Sequence, residues 1–322
     1  MEEGKQASGA SSVGNPGLWS AAGAVAVTLA AGLGMATATP AIAQDDLTAL
    51  SDEFNADTLT GWTRFDEVSG WANKIKVLDV GKTTPGSLHL EPYHSAWIRE
   101  LVGPFVYREV KGDFDVRARL RVRGHQNAIP GGTWSLGGLM ARVPNASTSA
   151  QWVPRSENWH FITTGVGHRP GEQMTETKGT YNSYSSLKLR PFPTGWVELR
   201  IVRVGMVLVT LARPDGEAQW RVRDRFYRME GNPVMQVGFL AYTTSSAGPV
   251  PGGSSDPNAA KPEVSNRTVD TTLPVDMILE ADWIRFKRPL AQTPADFYGQ
   301  VSANQLADPN LSEADLIKAL GD

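Results

Sequence analysis

The 322-residue chain contains no cysteine, which excludes disulfides, thiolate metal sites, a cysteine nucleophile and lipid attachment through an N-terminal cysteine. Histidine is scarce, at five residues, and leaves few candidates for metal or acid–base chemistry. There is no excess of positive charge. The 31 Lys+Arg stand against 34 Asp+Glu, a net charge of -3, which argues against a generic nucleic-acid binder. Hydrophobic residues make up 41% and charged residues 20%, which rules out an intrinsically disordered chain. What is plentiful is glycine, 32 residues, and proline, 21, the composition of a turn-rich globular protein.

Residues 1–17 are polar and small, and residues 18–38 then run without a charge to Thr39, Pro40, Ala41 and Ala43. An apolar run ending in a helix breaker and an Ala-x-Ala triplet matches a secretory signal, with cleavage expected after Ala43. Glu2 and Glu3 against a single Lys5 depart from the positive start of such signals. The alternative is a retained anchor, because residues 18–38 match the roughly 20 residues of a bilayer span; membrane contact would then run through that segment only. The first reading makes the protein periplasmic or secreted, and the second anchors it in the membrane with its body outside the cytoplasm. A long exported chain without cysteine suits a bacterial periplasm.

The body reads as strands. Short β-branched, aromatic or alternating runs, separated by Gly, Pro, Asn and Asp, fall at 74–80, 87–93, 113–123, 136–143, 159–167, 196–202, 206–213, 218–225, 234–242 and 277–288. No convincing 3.6-residue period intervenes, so an all-β, two-sheet antiparallel sandwich is expected. In the clearest strand Phe114, Val116, Ala118, Leu120 and Val122 share one face, and Arg117, Arg119, Arg121 and Arg123 the other. Residues 243–274 form a long stretch rich in Ser, Gly, Pro and Asn, expected to be functional or mobile. Past Pro289, residues 294–301 and 311–320 read as short helices. Ser312 caps the second, and Leu316, Ile317 and Leu320 form its apolar stripe. A helix that short must dock, either on its own sandwich or on a partner. The expected organisation is a signal or anchor over 1–43, a sandwich over 44–289 and a helical tail over 290–322.

Three stretches carry a family pattern. The first is Asp-Glu-Phe-Asn at 52–55 with Leu-Thr-Gly-Trp at 59–62. The second is Val-Lys-Gly-Asp-Phe-Asp-Val-Arg at 110–117 with Gly-Leu-Met-Ala-Arg at 138–142. The third starts with Glu-Leu-Arg-Ile-Val-Arg at 198–203 and runs through Gly205, Asp215, Gly216 and Trp220. It continues in Val-Gly-Phe-Leu at 237–240 and closes with Asp-Trp-Ile-Arg-Phe at 282–286. In this order they resemble the concanavalin A-like lectin/glucanase superfamily, especially its laminin-G-like bacterial modules. The resemblance implies a jelly-roll-like sandwich used for carbohydrate or protein binding. It also admits a Ca²⁺ ion at the rim, where residues 256–270 offer oxygen ligands; no other cofactor is expected.

Hydrolases of that superfamily set two carboxylates on one strand face. Glu280 and Asp282 have the spacing but lack a further carboxylate, and read as the solvent side of a closing strand. Leu279 and either Trp283 or Ile284 would pack inward. The histidines have no metal-ligand spacing, so no metal site is assigned. Aromatics concentrate between 132 and 184, and Trp134, Trp152, Arg155, Trp159, Tyr181 and Tyr184 are the candidate ligand-binding residues, since sugar rings stack on flat aromatic surfaces. The row Arg117, Arg119, Arg121 and Arg123 is either paired with carboxylates across the sheet or a ridge for an anionic partner. The leading expectation is a non-catalytic, extracytoplasmic, carbohydrate-binding module. The alternatives are a membrane-tethered accessory subunit docking through Leu316, Ile317 and Leu320 onto a membrane-complex partner, and a glycan-active hydrolase. No nucleic-acid partner is expected.

Overall fold

Phe114–Arg123 turns its sequence period into two faces: Phe114, Val116, Ala118, Leu120 and Val122 are buried, and the four alternate arginines are half-buried. The computed structural model describes residues 45–227, 232–291 and 305–321, within the compact unit Gln44–Asp322. The apolar run 18–38, its expected cleavage point and the expected helix over 294–301 lie outside the described residues. Among the described residues no helix is long and apolar enough to cross a membrane.

Two seven-stranded antiparallel sheets make the sandwich. Sheet A runs β12 (Arg221–Tyr227), β11 (Val207–Pro214), β10 (Val197–Val204), β5 (Phe114–Arg123), β14 (Ile278–Lys287), β3 (Leu88–Pro92), β2 (Ile75–Val80). Sheet B runs β1 (Thr63–Arg64), β4 (Phe105–Lys111), β13 (Val234–Tyr242), β6 (Ser135–Arg142), β7 (Trp159–Val166), β8 (Gln173–Tyr181), β9 (Tyr184–Pro191). The meander β10–β11–β12 turns first at Gly205, whose φ of +59° is the left-handed geometry a two-residue hairpin demands of its first position. Strands β1, β4, β8 and β9 add to those expected from the sequence.

The central core joins inner faces of both sheets, including Val116, Leu120, Leu139, Ile162, Leu199, Phe239 and Ile284. Two further clusters lie outside it. The outer face of sheet B carries Phe105, Tyr107, Met140, Trp159, Phe161 and Tyr242, roofed by Trp71, Trp97 and Val102. On the outer face of sheet A, Val202, Val204, Val207, Val209, Leu211 and Trp220 take in Leu306, Leu316 and Leu320 from the tail.

That third cluster corrects the partner-docking tail. In α3 (Glu313–Leu320), capped by Ser312, Leu316 and Leu320 are fully buried and Ile317 partly so, all against this chain's own sandwich. Arg200 fixes the end of the helix: it forms a bidentate, fully buried pair with Asp115 at 2.8 and 2.6 Å and donates to the carbonyls of Gly321 (2.7 Å) and Leu320 (3.3 Å). A cation at the C-terminal carbonyls also complements the helix dipole.

The arginine row is likewise engaged from within. Arg119 bonds Asp215 at 2.9 and 2.8 Å and Asp282 at 2.9 Å. Arg121 and Arg123 both grip Glu280, the latter at 2.7 Å, and Arg119 and Arg121 stack on Trp196. The anionic-partner ridge is therefore corrected to an internal charge ladder, in which Arg117 alone has no ion-pair partner among the described residues. A β-bulge between Ala281 and Trp283 decides the closing strand: Ile284 goes inward and Trp283 outward beneath Arg285. Glu280, expected to face solvent, is buried under its arginines.

Burial alone would raise the Glu280 carboxyl, but the hydrogen bonds from Arg123 and Arg121 outweigh it and hold it at about 2. A depressed folded-state value contributes stability above the ordinary 4.5 that is lost as pH falls from there towards about 2. Glu280→Gln is expected to cost ~3 kcal/mol at neutral pH and to flatten the acid limb of a urea-denaturation pH series; an acid limb identical to wild type would refute this role. Leu316→Asp, which puts a charge into the tail cluster, should lower the unfolding free energy by ~3 kcal/mol or more. An unchanged urea midpoint would show that the tail does not dock.

Candidate ligand site

Strand register assembles the site on the outer face of sheet B. Trp159, Phe161 and Thr163 of β7 sit opposite Thr180, Lys178 and Glu176 of β8, so two charged side chains share a face with two large rings. Tyr242 of β13 joins them from the same face through β6, opposite Leu136. All are sealed by residues 93–104, where Trp97 is wholly buried, donates Nε1–H to Pro104 O at 3.1 Å, and meets Trp159 edge-on at 5.9 Å.

The long 243–274 stretch completes the roof. It folds into turns and the short helix α2 (Pro262–Arg267), whose Asn266 is buried and accepts from Val102 N–H at 3.0 Å while donating to Glu100 O at 2.8 Å. Between roof and sheet lies a cavity of about 140 Å³, lined by Trp97, Trp134, Lys178, Leu187, Tyr242 and Val250 among others.

Two groups of its floor, Lys178 and Tyr242, interlock with Glu176 beyond the lining. Lys178 Nζ lies 2.9 Å from Glu176 Oε1, donates to Trp97 O at 3.0 Å, and sits over the Phe161 and Tyr242 rings at 5.1 and 5.2 Å. The pairing with Oε1 is electrostatic, since that atom makes no hydrogen bond. The Tyr242 hydroxyl donates a short hydrogen bond to Glu176 Oε2. Burial first, and then the Glu176 charge, push this phenol well above its ordinary value, so it remains a protonated donor.

A second cavity of about 200 Å³ adjoins the first through Ala96 and Pro251 and is lined by Lys74, His94, Asp256 and Asp270. Burial pushes the Lys74 ammonium down to about 7, although it donates to Val102 O at 2.9 Å. His94 is also lowered by burial, and its Nδ1 accepts from Ser245 N–H at 2.8 Å. The oxygens expected as rim ligands serve their own turns: Asp256 accepts from Gly252 and Asn258 N–H, and Asp270 from Thr272. Among the described residues no three or more His, Asp or Glu side chains gather as metal ligands do.

The candidate ligand-binding residues do not form one surface. Trp134, half-buried at φ +48°, lines the cavity. Trp159 is wholly buried beneath Trp97 and out of a ligand's reach, which corrects its assignment. Trp152 packs edge-on to Trp71 at 5.8 Å. Arg155 is exposed in a loop tied to Glu100 through its backbone N–H. Tyr181 and Tyr184 face each other across the β8–β9 hairpin, 49% and 83% exposed, on the face opposite Lys178. Sequence reasoning missed Glu176, Lys178 and Tyr242. The alternation of Met174, Glu176, Lys178 and Thr180 was the available signal, weakened because both faces of β8 are polar.

No family model matches this sequence, and no curated protein does. Solved structures resemble the fold distantly. A functionally unknown protein from Saccharomyces cerevisiae aligns at 15% identity over 68% of this chain and 96% of its own, TM-score 0.46. The GH43 protein BlXynB from Bacillus licheniformis gives 14%, 76% and 40%, TM-score 0.48. Rv0315 of Mycobacterium tuberculosis, an immunostimulatory antigen and pseudo beta-1,3-glucanase, gives 14%, 74% and 97%, TM-score 0.40. This chain thus spans about 40% of the GH43 protein's length. At these scores the neighbours transfer no function, and the fold rests on the sheet order above.

Tyr242→Phe keeps the ring and removes the donor, leaving Glu176 Oε2 without its hydrogen bond in a buried place. A loss of about 1–3 kcal/mol is expected in urea denaturation, and no loss would mean that the carboxylate is satisfied in another way.

Proposed function

We propose that this chain is an extracytoplasmic, concanavalin A-like binding module, non-catalytic, that takes one carbohydrate ring into the roofed cavity on sheet B. The observation carrying this reading is the meeting of the Trp134 ring with Lys178 and the Tyr242 hydroxyl in a cavity of about 140 Å³. Sugar rings combine apolar faces with hydroxyl edges, and flat aromatic carbon beside a few fixed polar groups suits both. Drug-sized ligands need upward of ~300 Å³, so this space suits one terminal or side-branch ring, with the rest of a glycan lying outside. Among the described residues the lining contains one ammonium and no carboxylate, and two-carboxylate glycoside cleavage has no purchase there. Glu280 and Asp282, the pair with the right spacing, are spent on arginines.

The accessory-subunit reading is favoured by a different observation, the exposed Tyr181 and Tyr184 at the β8–β9 hairpin, since tyrosine is enriched where protein partners meet. In either reading the sandwich works outside the cytoplasm, with residues 1–43 as its export signal or its tether.

The test is a glycan array with the full chain, followed by titration calorimetry on the best binder. Trp134→Ala is expected to weaken binding at least tenfold and Lys178→Met severalfold, while Trp152→Ala binds as wild type. No binding to any glycan, or a Trp134→Ala variant of unchanged affinity, would sink the proposal.

A further inference from the structure

Two arginines that share a cleft make no ion pair among the described residues. Arg223 on β12 is 8% exposed, stacks on Phe192 at 4.7 Å, has no ion-pair partner among the described residues, and buries its Nε without a hydrogen bond. Arg190 on β9, itself half-buried, also lacks an ion pair among the described residues, and its Nη1 is buried without an acceptor. Both line a cleft of about 460 Å³ along edge strand β12, closed on its far side by Ala307, Pro309 and Glu313 of the tail.

The neighbouring charges are committed elsewhere. Arg221 pairs with Glu217 at 2.6 Å, and Arg225 donates to the carbonyls of Asp308 and Leu311 at 3.1 and 2.8 Å. Asp224 holds Lys188 at 2.7 Å and Thr177 at 3.1 Å, and Glu313 accepts from Val222 N–H at 2.7 Å. Burial, followed by the charges of Arg190 and Arg221 and opposed in part by Glu313, pushes Arg223 down to about 10, still cationic at neutral pH. Two adjacent guanidiniums with buried nitrogens left unbonded, offset only in part by the Glu313 charge, are costly unless an anion joins them. The guanidinium fork suits a planar or tetrahedral oxyanion through paired hydrogen bonds.

We propose that the cleft between β9, β12 and the C-terminal tail is an oxyanion site, in which Arg190 and Arg223 together hold a carboxylate, sulfate or phosphate group. It lies apart from the sheet B cavity and stands independently of the carbohydrate reading. The group could come as a free inorganic anion or as the acid of a longer chain, and the experiment separates the two.

Titration calorimetry of the full chain against sodium sulfate, at ionic strength fixed with chloride, should show saturable binding. Arg223→Met and Arg190→Met should each weaken it at least tenfold, and Arg223→Lys, which keeps charge without the fork, should weaken it less. Because each Met variant removes repulsion, both should melt no lower than wild type in anion-free buffer, which guards against reading misfolding as lost affinity. A uronic-acid oligosaccharide is the second ligand: tighter binding than sulfate with the same sensitivity to Arg223→Met points to a polymer-borne acid, and sulfate binding alone to a free anion. Absence of saturable sulfate and uronate binding, or equal binding by wild type and Arg223→Met, overturns the site.

Discussion

The strands β4, β13, β6 and β7 of sheet B are apolar on both faces, and much of the molecule is a consequence of that. Its inner face builds the central core with sheet A, while its outer face presents Phe105, Tyr107, Met140, Trp159, Phe161 and Tyr242. An exposed aromatic surface of this extent would be a standing invitation to aggregate. The chain covers it with two irregular segments, 93–104 and 243–274, tied together through Asn266. Irregular segments pack less evenly than a third sheet would, and the space left between roof and floor is the candidate cavity. The requirement to bury the face and the opportunity to bind are thus one geometric fact.

Sheet A solves the opposite problem. Half of its outer face is apolar and takes the tail helix; the other half is a ladder of arginines and carboxylates. Arg200 and Asp115 stand at the junction, wholly buried, with the tail's terminal carbonyls as the remaining partners of the guanidinium. A buried ion pair is weak as a source of stability but costly to break, so its function here is better described as specifying where the helix Glu313–Leu320 docks. Exposed pairs such as Arg285 with Glu53 add little by comparison.

Much of this was legible in the residues, for reasons that also explain what was not. Phe114–Arg123 alternates cleanly because one face meets a core and the other meets charge, and the two-sheet fold follows from such runs. The partners of the arginine row were harder, because Asp215 and Glu280 are distant in sequence and only register brings them across. Trp283 against Ile284 was undecidable by parity, since a bulge shifts the count by one. The site was the least visible part. Gln173–Tyr181 is polar at almost every position and reads as wet edge, yet only Tyr181 is exposed. Its burial comes from the roof, and nothing within a strand's own sequence announces what will cover it. Trp159 shows the converse: its alternation with Phe161 already points it inward, and Trp97 packed on top of it takes it out of a ligand's reach.

The two concavities differ in how their charge is balanced, and that difference sets what each can accept. In the sheet B cavity the Lys178 ammonium is paired with Glu176, which also accepts from the Tyr242 hydroxyl, so the group is neutral as a whole. An ionic ligand would gain little there against the cost of its own desolvation, whereas a neutral polyol exchanges water hydrogen bonds for equivalent ones and keeps its ring contacts. Along β12 the balance is left open: Arg190 and Arg223 make no ion pair among the described residues, and Glu313 offsets only part of their repulsion. A neutral ligand would leave that repulsion standing, and only an anion relieves it. Both proposals therefore rest on local pairing and not on overall charge, the net charge of the chain being just -3.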